Sequence, residues 1–134
     1  MSKPKNERYT VAVDFDGVLH RYNSPWINAH TIPDLPVPGA IDWLWRTFQA
    51  FDIVIYSTRC KTWRGRRAVR NWLRRYVGHL WYESPAGPGL EDIRLSYEKP
   101  PALVYLDDRA IRFTGENFPT PAEIHAARPW NKQQ

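Results

Sequence analysis

Three short apolar runs, each closed by a cluster of polar groups, constrain this chain more than any other feature. Tyr9-Thr10-Val11-Ala12-Val13 ends in Asp14-Phe15-Asp16-Gly17. Ile53-Val54-Ile55-Tyr56 ends in Ser57-Thr58-Arg59, and Ala102 to Leu106 ends in Asp107-Asp108. Short apolar runs bounded by turn formers read as buried strands. Helical periodicity lies between them. Ile41, Leu44, Trp45, Phe48 and Phe51 recur at helical spacing behind Pro38, which predicts a helix over 38–50. Val69, Trp72, Leu73 and Tyr76 predict a second helix from Lys61 or Thr62 to Val77, with Gly78 just past its end. Strands alternating with helices imply a parallel sheet with right-handed crossovers. The carboxyl ends of such strands share one edge, where open α/β sheets bind ligands. The polar clusters should therefore meet.

The remaining stretches are less regular. His79-Leu80-Trp81-Tyr82 reads as a short third strand, Ala110 to Phe113 as a fifth strand on the sheet edge, and Thr120-Pro121 starts a last helix through Ala127. Ser84 to Gly89 is a loop by composition. His20 to Val37 carries three prolines and is too proline-rich for a helix, so it should leave the sheet as a flap or small hairpin. Residues 1–8 read as a frayed arm without the apolar region of a signal peptide. At 134 residues and 43% hydrophobic composition the chain suits a single domain, 1–134, with a full core. No apolar run approaches the length of a membrane span. Cys60 is the lone cysteine, so no internal disulfide forms and a cytoplasmic location is expected. Its neighbours Arg59 and Lys61 should lower its pKa.

The polar clusters have a common chemistry. Asp14 and Asp16, two apart at a strand end, share a face and can converge on one point. Converging carboxylates repel unless a proton or cation lies between them. A hard divalent ion with oxygen ligands, Mg²⁺, meets that need. A polar Asp-x-Asp-Gly turn competes with this reading, but a second acid pair at Asp107-Asp108 favours the metal. Ser57, Thr58 and Arg59 suit phosphate oxygens, and Lys99 stands before the rigid Pro100-Pro101. A metal-binding acid set, a hydroxyl and a lysine are the parts of a phosphoryl-transfer site.

On these residues the chain resembles the haloacid dehalogenase superfamily of phosphohydrolases. Asp14-x-Asp16, Ser57, Lys99 and Asp107-Asp108 match its four motifs in order, over about Tyr9 to Phe113. The tail Asp107 to Phe113 is also similar to small hydrolase-like proteins of phages and bacteria. The resemblance implies an α/β fold with a three-layer, Rossmann-like parallel sheet flanked by helices. It implies that Asp14 is a nucleophile, that Asp16 is a general acid and base, and that Mg²⁺ is held by Asp14, the Asp16 carbonyl and Asp107 or Asp108. Ser57, Thr58 and Lys99 would bind phosphate. Neither 20–37 nor Glu83 to Tyr97 has room for the superfamily's cap domain, so a capless member is expected. A site without a lid favours a large substrate, unless a second subunit of a homo-oligomer covers it.

Charge bears on that substrate. Arg59, Lys61, Arg64, Arg66, Arg67, Arg70, Arg74 and Arg75 form a run of eight cations without an acid, more than the whole net charge of +5. Arg66, Arg70 and Arg74 make an i, i+4 row on the second helix. A phosphorylated nucleic-acid end is a natural partner for such a stripe, with Arg59, Arg64, Arg66, Arg67 and Arg70 as candidate contacts. A solvated helix face is the competing reading. Three function classes follow: a phosphatase for a nucleic-acid end or another large phosphorylated molecule, a small-molecule nucleotide phosphatase, and a non-enzymatic nucleic-acid-binding protein.

Overall fold

The first strand, β1 (Thr10–Asp14), organises the molecule because it pairs on both sides. The computed structural model describes residues 8–82 and 89–130. β1 is followed by α1 (Ala40–Phe48), β2 (Asp52–Tyr56), α2 (Trp63–Tyr82), β3 (Arg94–Ser96), β4 (Val104–Leu106) and α3 (Pro121–Ala126). The four strands form one all-parallel sheet in the order β3-β2-β1-β4. The fold is therefore α/β with a parallel sheet, as the alternating pattern predicts.

Val11, Ala12 and Val13 are all buried, as are Ile53, Val54 and Ile55, so both central strands are covered on both faces. That is why they read as continuous apolar runs rather than alternating ones. Val11, Val13, Ile53 and Ile55 share one face and join a core with Leu44 and Phe48 of α1 and Val69, Leu73 and Val77 of α2. β3 and β4 lie at opposite edges, so residues 97–103 must cross a face of the sheet. Tyr105, in register with Ala12, donates to the Pro100 carbonyl at 2.5 Å, which puts the crossing on the face opposite the helices. No helix of the described residues is long and apolar enough to cross a membrane.

Several expectations are corrected. α2 runs to Tyr82, so 79–82 is helical and not a strand. Gly78 is buried within the helix rather than ending it. A short apolar run that continues a helical face cannot be told from a strand by periodicity alone. The third strand falls instead on Arg94–Ser96. Residues 110–113 are irregular, so among the described residues β4 is the edge and no fifth strand follows. Arg8, expected in a free arm, donates to the carbonyls of Phe48 and Phe51. Residues 1–7, and the loop expected at 84–88, lie outside the described residues. The α3 expectation holds, with Thr120 capping Glu123 N–H.

One glycine fixes how α2 leaves the sheet edge. A Cβ on Gly65 would sit 1.7 Å from the Arg59 carbonyl oxygen. Alanine would gain about 1 kcal/mol of helix propensity there, but the clash is with backbone and cannot relax by a rotamer change. Gly65→Ala should therefore lower the melting temperature by about 5 °C or more. Thermal denaturation followed by circular dichroism reads this, and a rise would contradict the packing described.

Candidate active site

The register of β1 against β4 decides where the acids go. Val13 pairs with Leu106, so Asp14 and Asp107 leave neighbouring strands at the same edge. Asp14, Asp107 and Asp108 each offer a carboxylate oxygen, and these atoms lie within 4.8 Å of one another. Asp107 is held from both sides: Tyr56 Oη donates to one oxygen and Arg109 N–H to the other, each at 2.8 Å. Asp108 Oδ1 is buried and has no hydrogen-bond partner among the described residues. Room for Asp108 comes from Gly17, where a Cβ would lie 2.2 Å from Asp108 Oδ2 and where φ is +86°.

This crowding has an electrostatic signature. Burial, then the Asp107 charge, then a hydrogen bond with Asp108 push the Asp14 carboxyl up to about 8. Burial also raises Asp108, and burial together with Asp107 raises the Tyr56 hydroxyl. The donor set is all hard oxygen, and oxygens on opposite sides of one divalent ion lie about 4–5 Å apart. An orphaned buried carboxylate oxygen completes the fit to such a cation.

Asp16 takes a different path from the one expected. Its carboxylate does not join the other three. It accepts from Arg59 Nε at 3.0 and 2.9 Å and lies 2.9 Å from His20 Nδ1. His20 is fully buried, and its Nε2 accepts from the Asp34 backbone N–H at 3.0 Å. Nε2 therefore carries the lone pair, and Nδ1–H donates to Asp16.

Arg59, proposed above as a substrate contact, is turned inward and 1% exposed. Its Nη1 donates to the carbonyls of Asn28, Ala29 and Thr31 at 3.0–3.1 Å. Its guanidinium lies 4.5 Å from the Trp26 ring centroid. It thus fastens the 21–35 excursion to the acid. The base of that excursion is an antiparallel pair, Arg21 N–H to Leu35 O and Val37 N–H to Leu19 O. Small-hairpin character at the flap is what the sequence predicts.

Asp14, Asp16, Ser57 and Thr58 line an open cleft of about 420 Å³ together with Tyr22, Trp26, Tyr56, Tyr97 and Arg109. Ser57 Oγ accepts from Arg59 N–H at 3.2 Å, which leaves its own O–H to donate. Lys99 is outside this lining; its Nζ stands 4.2 Å from the Tyr105 ring centroid. Arg109 is the cation on the cleft wall. Its place directly after the acid pair was the available signal. The four aromatic walls come from three separate segments, which sequence spacing does not connect.

The basic helix divides. Arg66 Nη1 donates to Cys60 O, and Arg70 Nη1 to the carbonyls of Leu90 and Ile93. Arg64 and Arg67 border a separate hollow with Trp63 and His30. Cys60 itself is buried, and burial raises its thiol to about 11 rather than lowering it as its neighbours in sequence suggested. Comparison of the chain with protein-family models, curated proteins and solved structures finds no match.

The raised carboxyls set a pH dependence. Below about pH 3 Asp14 is protonated in both folded and unfolded states, so no charge is buried. As pH rises toward about 8 only the unfolded chain ionises freely, and stability is lost. In chelator the melting temperature should fall between about pH 5 and pH 8.5. Mg²⁺ should raise it more at the upper end, and Asp14→Asn should flatten both trends. Stability rising with pH in chelator, or no Mg²⁺ effect, would contradict this reading of the cluster.

Proposed function

We propose that this chain is a Mg²⁺-dependent phosphomonoesterase, a capless α/β domain of the haloacid dehalogenase type that works through an aspartyl-phosphate on Asp14. The observation that carries the proposal is the triad Asp14, Asp107 and Asp108, with its orphaned oxygen, at a sheet edge shared with Ser57 and Thr58. Support for a capless form is that the described chain between β1 and α1 holds only the 21–35 excursion, pinned by Arg59. A reducing, cytoplasmic setting suits the single buried thiol.

In this mechanism Asp14 would hold the cation with Asp107 and Asp108, the Asp16 carbonyl adding a ligand. When bound, the cation offsets the mutual repulsion of the carboxylates and the charge of the phosphate. An Asp14 carboxylate oxygen forms a bond to phosphorus as the ester P–O bond breaks. To act as general acid Asp16 must enter turnover carrying a proton, which it gives to the leaving alkoxide; the form that accepts from Arg59 and His20 is the carboxylate it then becomes. It then takes a proton from water, whose oxygen attacks phosphorus and releases Asp14. Between these steps Arg59 and His20 keep the Asp16 side chain at the cleft wall. Ser57 O–H donates to a phosphoryl oxygen, and Arg109 supplies charge on the cleft wall. Lys99 is the lysine of the motif order and acts in the transition state only by turning away from Tyr105.

A large phosphorylated substrate suits an open cleft. A nucleotide-sized substrate is the second reading, favoured by four aromatic walls around about 420 Å³. A binding protein without catalysis would leave the buried Asp108 oxygen unused. Asp14→Asn should retain the fold and lose at least about a thousandfold in Mg²⁺-dependent hydrolysis of an aryl phosphate. Near-native turnover in that variant would reject the nucleophile.

A further inference from the structure

The cations of the basic run have different occupations. Arg66 and Arg70 donate to backbone carbonyls, Arg74 to Asn71 Oδ1, and Arg75 stacks on Tyr76. Arg64 and Arg67 are exposed and aim at a hollow of about 180 Å³ beside Trp63 and His30. Arg64 meets His30 at a long 3.4 Å, and Arg67 makes no hydrogen bond or ion pair among the described residues. Trp63 is 63% exposed. The hollow's lining therefore combines an exposed indole with two guanidiniums and no carboxylate.

We infer that this hollow is a subsite for single-stranded nucleic acid, taking a nucleotide within about four of the one whose terminal phosphate enters the catalytic cleft. The substrate placement rests on the phosphatase reading, while the binding itself does not. Trp63 offers a face for a base, and Arg64 and Arg67 offer forks for the phosphodiester. A duplex would hide the base face from Trp63, and an acidic peptide would leave the indole without a partner.

The spacing fits. Trp26 lines the catalytic cleft and His30 the hollow. Four residue steps span at most about 14 Å, the length of about four stacked nucleotides. Arg59 fixes that distance by binding the carbonyls of Asn28, Ala29 and Thr31. The same guanidinium therefore holds Asp16 and sets the gap between cleft and hollow.

The test uses the full chain carrying Asp14→Asn, so that bound substrate survives, with Mg²⁺ and fluorescence anisotropy of end-phosphorylated, labelled oligothymidylates. Affinity should rise with length from one to about four nucleotides, then level off. Trp63→Ala should weaken binding of the longer oligomers by about tenfold or more, and Trp63→Phe should recover most of it. Arg64→Gln and Arg67→Gln should each reduce the log–log salt slope by about 0.7. Because Arg67 is exposed and has no hydrogen bond or ion pair among the described residues, its variant keeps the test decisive even if Trp63→Ala were to lower the melting temperature.

Affinity independent of length, an unchanged salt slope in the arginine variants, or equal competition by polyglutamate would overturn the subsite. If these binding effects hold while the unsubstituted chain hydrolyses no phosphate ester, the phosphatase reading fails and the subsite stands. Hydrolysis without the binding effects rejects the subsite alone.

Discussion

Three carboxylates within 4.8 Å of one another repel, and the rest of the site follows from the fold forcing them together. The strand ends that carry Asp14 and Asp107-Asp108 cannot separate without breaking the pairing of Val13 with Leu106, which joins β1 to the edge strand β4. Burial sharpens the conflict, since the cost of an uncompensated charge grows as water is removed. Gly17 shows how closely the pieces fit, because any side chain there would displace Asp108. A protein can relieve such a cluster with protons or with a cation. Only the cation leaves Asp14 ionised near neutral pH, which is the form that the proposed attack on phosphorus requires.

A second constraint runs through Arg59. A buried guanidinium is tolerable only when its donors and charge are satisfied. Here one carboxylate, three carbonyls and an aromatic face do so. The consequence is mechanical. The excursion between β1 and α1 carries Tyr22 and Trp26 to the cleft wall, and Arg59 ties their segment to Asp16. Tyr22 adopts φ +55°, an uncommon conformation for a bulky residue, so the wall is held against a local preference. His20 completes the arrangement from the other side of Asp16. Acid, wall and excursion are therefore tied together through one guanidinium.

Much of this was legible in the chain itself. β1, β2 and β4 declared themselves as apolar runs because they are short and end in polar clusters. Their parallel pairing followed from the helices between them. That fixed the meeting of Asp14 with Asp107 and Asp108 before any coordinate was known. β3 was not legible, since Arg94-Leu95-Ser96 has a single apolar residue and takes its place only by pairing with β2. The end of α2 was misplaced because Gly78 costs about 1 kcal/mol relative to alanine, less than the packing of the helix around it offsets. The role of Arg59 was hidden for a different reason. Whether a guanidinium meets phosphate or carbonyl oxygen depends on where residues 28–31 lie, a contact across about thirty positions. Lys99 likewise found Tyr105, six residues on.

The chemistry proposed for Asp14 requires a phosphoryl group on that side chain during turnover. Rapid acid quench of the unsubstituted chain, mixed with an aryl phosphate and Mg²⁺, should preserve the acyl phosphate. Borohydride reduces an acyl phosphate to the corresponding alcohol, so mass spectrometry of the digested protein locates it. Reduction confined to Asp14, and lost when Mg²⁺ is withheld, is the expected result. A modified residue other than Asp14, or product formation with no modified residue at all, would contradict the covalent route.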